Sequence, residues 1–408
     1  MLMAKRRLLD QVDLSDHEKK NLQILDTIRK KGPIARAEIS RLIGLNIVTV
    51  TSYVDQYIKK NVIKEVGIDV STGGRKPTLV DLNPFAMYAI GIGLSLTKMI
   101  AVLTNFKGEV IHRIEKERSL KPGEELVPLM VLLAEELIQK SNVDIAKVYG
   151  IGIGMPGPLN RDSNSVRWEA GLVDQDLHIN FSIHGMFEGK LGISTFVDND
   201  ANTAMFAENW YGSKLGLKHA VYFYSGDGCG ILINGEVYRG ANGASGEWLF
   251  NTPDDILSPD LEVWAKDRPW WSIDLGVSLR AEAYQKDHAD SKIYRLAGGD
   301  SKKINFKTVV KASEEHDEFA KDLLIKAGQR LGRKAAALVN LLNPEILIIG
   351  GGVEIGGADF MDSVRETVKK MAAPEATEKL RIVPSQLGEN GVALGAAALV
   401  AQNYFVSA

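Results

Sequence analysis

Six residues, Val197 to Asn202, read V-D-N-D-A-N and set two carboxylates beside two amides. Amides donate and accept hydrogen bonds while an ionised carboxylate only accepts, so the set suits a polyhydroxyl ligand. Asp200 is also the right type for a general base toward a hydroxyl. The apolar run Leu191 to Phe196 reads as a strand feeding this polar turn. Carboxyl ends of strands are where open α/β sheets gather ligands. Asp and Asn are equally common as N-caps and turn formers, so a merely capped turn is the other reading of these residues.

The elements needed to hold such a site are present on both sides of it. Tyr88 to Leu94, Lys98 to Thr104 and Gly108 to Ile114 read as strands, Glu124 to Lys140 as an amphipathic helix and Val148 to Ile153 as a further strand. The order recurs in part at Ala220 to Tyr224, Gly230 to Asn234 and Val237-Tyr238. A long helix, Glu318 to Leu342, then the strand Glu345 to Ile349, Gly350-Gly351-Gly352 and a helix from Asp359 complete the pattern. The expectation is a body of two α/β lobes facing a cleft, about 86–215 and 216–408, with the last helix returning to the first lobe.

The chain has 408 residues, 45% hydrophobic and 25% charged, a composition that builds real cores in roughly two or three domains. Its single cysteine, Cys229, excludes an internal disulfide framework and fits a reducing cytoplasm. No signal peptide follows Lys5, Arg6 and Arg7, and no apolar run approaches the roughly 20 residues of a membrane span. Net charge is −3, but residues 1–85 carry 15 Lys and Arg against 10 Asp and Glu, a net of +5 on an otherwise acidic chain. A basic first fifth points to an appended module with an anionic partner.

That module has a readable plan. After a leader (1–17), Leu22, Leu25 and Ile28 give a first helix one apolar face, and Gly32-Pro33 stops it. Arg36 to Ile43, with Ile39 and Leu42 inward, is a second helix; Gly44-Leu45-Asn46 is a tight turn; and Asn46 caps a third helix from Ile47 to about Lys60. Val62 to Val66 and Thr78 to Leu82 are strands around the polar turn S-T-G-G-R-K-P. This is a winged helix-turn-helix over 18–85. Asn46, Ile47, Thr49 and Ser52 are placed to meet bases, and Thr51, Arg36, Arg75 and Lys76 to meet phosphates.

The body resembles the ROK family, whose name joins repressor, open reading frame and kinase. The segments that carry the resemblance are G-I-G-M-P-G-P (152–158), V-D-N-D-A-N, I-N-G-E-V-Y-R-G-A-N-G-A-S-G-E (233–247), L-N-P-E-I-L-I-I-G-G-G-V (342–353) and S-Q-L-G-E-N (385–390), and G-G-R-K-P looks like the family's repressor branch. The resemblance implies an actin-like sugar-kinase fold. It also implies sugar contact by Asn199, Asp200 and Glu247, with Asn242 and Glu262 as further sugar ligands and Asp200 as the base in kinase members. Two loops depart from the kinase pattern. Where the family's phosphate loop resembles D-x-G-G-T-K, this chain has Gly93 to Lys98, G-L-S-L-T-K; where it resembles G-T-G-x-G-G-G, this chain carries Asp227 beside the phosphate position. Phosphoryl transfer depends on holding phosphates and magnesium, so no catalytic residue is expected and Asp200 is a vestigial base. The family's zinc segment is missing its cysteines, and its histidine position is Phe250, so no metal and no cofactor is expected.

The reading is therefore a cytoplasmic transcriptional regulator of carbohydrate metabolism, a repressor. It binds operator DNA as a homodimer or higher homo-oligomer and is governed by a sugar in a degenerate kinase cleft. The alternatives are an ATP-dependent carbohydrate kinase, for which Asp200 speaks, and a regulator governed by a protein partner, for which Trp264, Trp270 and Trp271 would supply a surface.

Overall fold

A capping box nucleates the first helix. In the computed structural model, which describes residues 14–68, 77–95, 98–117, 126–157, 159–160, 165–169, 178–212, 216–224, 228–247 and 274–408, Ser15 Oγ accepts from the Glu18 N–H and Glu18 accepts from the Ser15 N–H. The reciprocal bonds satisfy two otherwise orphaned donors. Helix α1 (Asp16–Lys31) consequently starts before residue 18, and Leu14 is already buried in the module. It is followed by β1 (Ile34–Ala35), α2 (Arg36–Ile43), α3 (Ile47–Lys59), β2 (Ile63–Ile68) and β3 (Thr78–Leu82), the strands ordered β1-β3-β2. Leu22, Leu25, Ile28, Ile39, Val50, Val54 and Tyr57 form the core of this head. Leu42, expected inward, is 44% exposed. Ile43, four residues beyond Ile39, takes the inward place instead and packs against the same cluster. The hairpin tip with Arg75 and Lys76 lies outside the described residues.

The body's first sheet contains β4 (Tyr88–Leu94), β5 (Lys98–Asn105), β6 (Val110–Glu117) and β7 (Val148–Met155), with α4 (Leu126–Ser141) against it. A small antiparallel sheet of β8 (Leu159–Asn160), β9 (Ser165–Glu169) and β10 (His178–Ser182) precedes α5 (Ile183–Leu191), β11 (Thr195–Asn199) and α6 (Asp200–Ala207). The order is β11-β7-β4-β5-β6, with the β4/β7 and β7/β11 pairs parallel and the β4/β5 and β5/β6 pairs antiparallel. The second sheet contains β12 (Ala220–Tyr224), β13 (Gly228–Ile233), β14 (Glu236–Val237), β15 (Ile346–Gly350) and β16 (Arg381–Pro384). Its order, β14-β13-β12-β15-β16, carries the same pattern of parallel and antiparallel pairs. The two halves are copies of one arrangement, which the residues themselves do not reveal.

One expected strand is shifted. Leu191 closes α5, and the strand begins only at Thr195. The Glu188 side chain accepts from the Thr195 N–H across the intervening turn, which holds the two elements apart. Val197 to Asn199 are strand and not turn, so β11 runs directly into α6.

Helices α7 (Val277–Ala283), α8 (Lys292–Leu296), α9 (Phe306–Glu314), α10 (Glu318–Leu342), α11 (Gly357–Met371) and α12 (Pro374–Thr377) belong to the second half. The last helix, α13 (Gly391–Ser407), crosses back and packs on β4, β7, α6 and α1. Two glycines seat it: a Cβ at Gly91 would collide with the Ala393 carbonyl, and one at Gly152 with the Ala396 carbonyl. Backbone meets backbone there, so neither contact can give way by rotating a side chain. Gly152→Ala is expected to cost about 1–3 kcal/mol, the usual penalty for overpacking. The check is the urea midpoint at unchanged m-value; a midpoint equal to that of the parent would refute the seating.

Candidate functional site

The two halves meet where β11 ends. Asn199 is the N-cap of α6, its side-chain oxygen accepting from the Asn202 N–H at 3.1 Å. Its amide then points the other way. Nδ2 donates to Glu247 Oε1 at 2.8 Å and to the Gly157 carbonyl at 3.3 Å. Asn199 and Glu247, 48 positions apart, are thus joined. Asp200 is the first residue of α6 and 7% exposed; one of its oxygens accepts from the Ala201 N–H. A carboxylate at a helix start is favoured by the helix dipole. The Glu247 charge is felt nearby: burial first, and that carboxylate second, push the Cys229 thiol up to about 12. The thiol is therefore inert packing at neutral pH.

Beside these groups stands an ion pair that the sequence reading did not single out. Arg239 Nε and Nη2 donate to Asp198 Oδ2 at 2.9 and 2.7 Å, with side chains 6% and 3% exposed. The other Asp198 oxygen accepts from the Asn199 N–H. Both residues lie in segments already noted, V-D-N-D-A-N and I-N-G-E-V-Y-R-G, but only the pairing of the two halves makes them partners. Asn202, the second amide of V-D-N-D-A-N, is fully buried, and among the described residues neither polar atom of its side chain has a hydrogen-bond partner.

Of the other expected sugar ligands, Asn242 is exposed on the loop leading to Glu247, and Glu262 lies outside the described residues, as do Asp227, Trp264, Trp270 and Trp271. The first loop is described at its ends. A Cβ at Gly93 would lie 2.6 Å from the Ala393 nitrogen on α13, so the position has no room for an aspartate. Ser95 Oγ accepts from the Lys98 N–H, and the Tyr224 hydroxyl donates to the Leu94 carbonyl from the other half. The Gly352 N–H is taken by the Glu354 carboxylate at 2.7 Å. Among the described residues no group of three or more His, Cys, Asp or Glu could hold a metal, and no helix is long and apolar enough to cross a membrane.

In the head, Asn46 Oδ1 caps α3 by accepting from the Val48 N–H, so its oxygen is engaged by the backbone and only its amide nitrogen faces outward chemistry. Ile47 is 43% exposed and Val48, which the sequence reading did not name, 73%. Ser52 is exposed; Thr49 and Thr51 are half-buried. Arg36 was expected at a phosphate. Its Nη2 lies 3.1 Å from Asp55 of α3 and 3.3 Å from Glu65 of β2, both half-exposed carboxylates on the surface of the module.

Residues 88–403 match the ROK family, and residues 18–64 match the winged helix-turn-helix DNA-binding family. The chain belongs to the ROK family. It is 29% identical over 410 residues to the xylose repressor of Caldicellulosiruptor bescii, covering 98% of this chain and 97% of that one. Among solved structures, a ROK family transcriptional regulator described as a homologue of the E. coli MLC protein aligns with a TM-score of 0.69 at 20% identity, over 96% of this chain and 97% of the other. A ROK family glucokinase from Streptomyces griseus, solved with glucose and AMPPNP, aligns with a TM-score of 0.63 at 22% identity over 76% of this chain and 98% of its own. The glucokinase matches the body's fold alone, whereas the regulators span the head as well.

The Asp198–Arg239 pair generates a prediction. Removing one partner strands the other charge in the interior, at a cost of about 3–5 kcal/mol. Arg239→Met should lose that much in denaturant unfolding, and Asp198→Asn combined with Arg239→Met should recover a large part of it. If Arg239→Met is as stable as the parent, the pair is not the pin between the halves.

Proposed function

We propose that this chain is a sugar-responsive repressor. The winged helix-turn-helix binds operator DNA, and a sugar, with D-xylose the first to test, binds between the halves at Asn199, Asp200 and Glu247. The observation that carries the reading is a single chain with a DNA-binding head on a ROK body whose cleft residues Asn199 and Glu247 already face each other at 2.8 Å. A hydroxyl entering there would meet the Glu247 carboxylate as acceptor and the Asn199 amide as donor. Asn242 and Glu262 extend the same set. Ile47, Thr49, Ser52 and the Asn46 amide are the base-reading groups, with Thr51 and the hairpin cations Arg75 and Lys76 on phosphates. Two heads in a symmetric dimer would read a roughly palindromic site.

Several features favour regulation over phosphoryl transfer. Gly93 has no space for the kinase aspartate, Ser95 Oγ is engaged by the Lys98 N–H, and the Gly352 N–H is taken by Glu354. Asp227, in the second loop by sequence, adds negative charge where phosphate would come. Asp200 then serves as a hydrogen-bond acceptor for sugar and not as a base.

The test uses the full chain and a duplex selected by it from random-sequence DNA. D-xylose, then a panel of hexoses and N-acetylhexosamines, should change operator affinity about 5- to 150-fold at fixed salt. Asp200→Asn should weaken the sugar's effect about 10- to 100-fold by removing a charged hydrogen-bond acceptor. Operator affinity indifferent to every sugar would end the sensor reading. ADP release with sugar and ATP, abolished in Asp200→Asn, would establish the kinase instead.

A further inference from the structure

A sensor of this kind needs a physical route from the cleft to the head, and α6 supplies one. Its first turn carries Asn199 and Asp200, and it is only eight residues long, roughly 12 Å at 1.5 Å per residue. Its far end does not stop at a loop. It continues as the π-helical turn Glu208–Gly212, a wide turn found frequently at functional sites. The start of that turn is fixed from the second half: Glu208 is buried and accepts from Ser385 Oγ at 2.6 Å. Two residues on, Trp210 meets the DNA-binding head.

The contact is specific. The Arg29 guanidinium of α1 lies over the Trp210 ring at 3.9 Å, and Arg29 Nη1 donates to the Trp210 carbonyl at 2.6 Å. Arg29 is 11% exposed and is steadied by Asp26 at 2.7 Å. Trp210 also packs, with tilted rings, at 5.3 Å from Phe206 of α6 and at 5.6 Å from Phe405 of α13. It packs against the cluster that holds the head's core and against the one that holds α6 on the second sheet. On the head's side, the signal meets a connected set: Tyr57 of α3 donates to Asn21 of α1, and Asn21 donates to the Val406 carbonyl of α13.

We infer that Trp210 and Arg29 are the coupling residues of this regulator. Occupancy at Asn199 and Glu247 moves the N-terminus of α6, and the π-helical turn delivers that movement through Trp210 to Arg29 and so to α1. The inference rests on the sugar-sensor reading for its biological use, but the mechanical link stands on its own contacts. Breaking the Asn199–Glu247 bond imitates half of what a sugar does there, because it frees the N-cap residue of α6 from the opposite half. Coupling then requires that α1 respond although it touches neither residue.

The experiment is amide hydrogen exchange on the full chain, read in α1, for the parent, Glu247→Ala, Arg29→Met, and the two combined. Glu247→Ala is expected to change exchange in residues 16–31 by at least about threefold, and the change should vanish on the Arg29→Met background. Trp210→Phe, which keeps an aromatic face under the guanidinium, should retain it. If Arg29→Met strips protection from the whole of residues 16–82, the comparison is made with Trp210→Leu, which removes the ring and leaves Arg29 its Asp26 partner. An α1 indifferent to Glu247→Ala overturns the proposal, as does a response that persists in Arg29→Met or Trp210→Leu. A second arm measures operator affinity for the same four proteins, where the two substitutions should be non-additive by at least about threefold. Failure to select any duplex would refute the DNA-binding reading alone, since the exchange arm decides the coupling without DNA.

Discussion

The packing of α13 on the first sheet is the constraint on which the rest of this structure depends. The helix is apolar on all sides and buried on nearly all of them, as a helix enclosed by protein must be. It reaches that position only because Gly91 and Gly152 let its backbone touch the sheet. Once seated, it offers one face to α6, another to β4 and β7, and its end to α1 of the head. The head is consequently no bead on a string. Leu25, Ile28, Phe106, Phe196 and Phe405 belong to one continuous apolar cluster that runs from the winged helix into the body.

The same close approach shapes the chemistry of the cleft. Gly93 sits on β4 under α13, and the space that an aspartate would need is filled by Val392 and Ala393. What remains intact is the hydrogen-bonding side of the cleft: a capping amide, two carboxylates and the buried Asp198–Arg239 pair that ties the two halves beside them. A buried ion pair contributes little net stability compared with a well-packed apolar pair, yet it is costly to break. It therefore fixes how the halves meet without adding much to how strongly they hold.

Much of the fold was legible along the chain. The boundaries of α2, α10 and β12 follow from apolar periodicity and from stops at glycine and asparagine, and Asn46 is the cap its type suggests. Errors arose where a local signal had two solutions. Leu42 and Ile43 compete for one inward place on a short helix, and the apolar stretch from Leu191 contains the end of a helix as well as the start of a strand. Arg36 has the type of a phosphate ligand, and its surface pairing with Asp55 and Glu65, 19 and 29 residues away, is a tertiary contact that no local signal announces.

By itself, the sequence determined which residue types were available and how they repeat. It established a basic head with a helix-turn-helix pattern, a body of α/β units, and a cluster of amides and carboxylates of the types suited to a polyol. Tertiary structure decided the partnerships. That the halves share one strand order is set by how the strands pair, and that Asn199 meets Glu247, that Arg239 neutralises Asp198 and that Trp210 lies under Arg29 are contacts between residues 40 or more positions apart. Periodicity reports only which face of an element is apolar. Which groups share a low-dielectric interior depends on how the elements cross, and it is there that charge and hydrogen bonding become strong enough to matter.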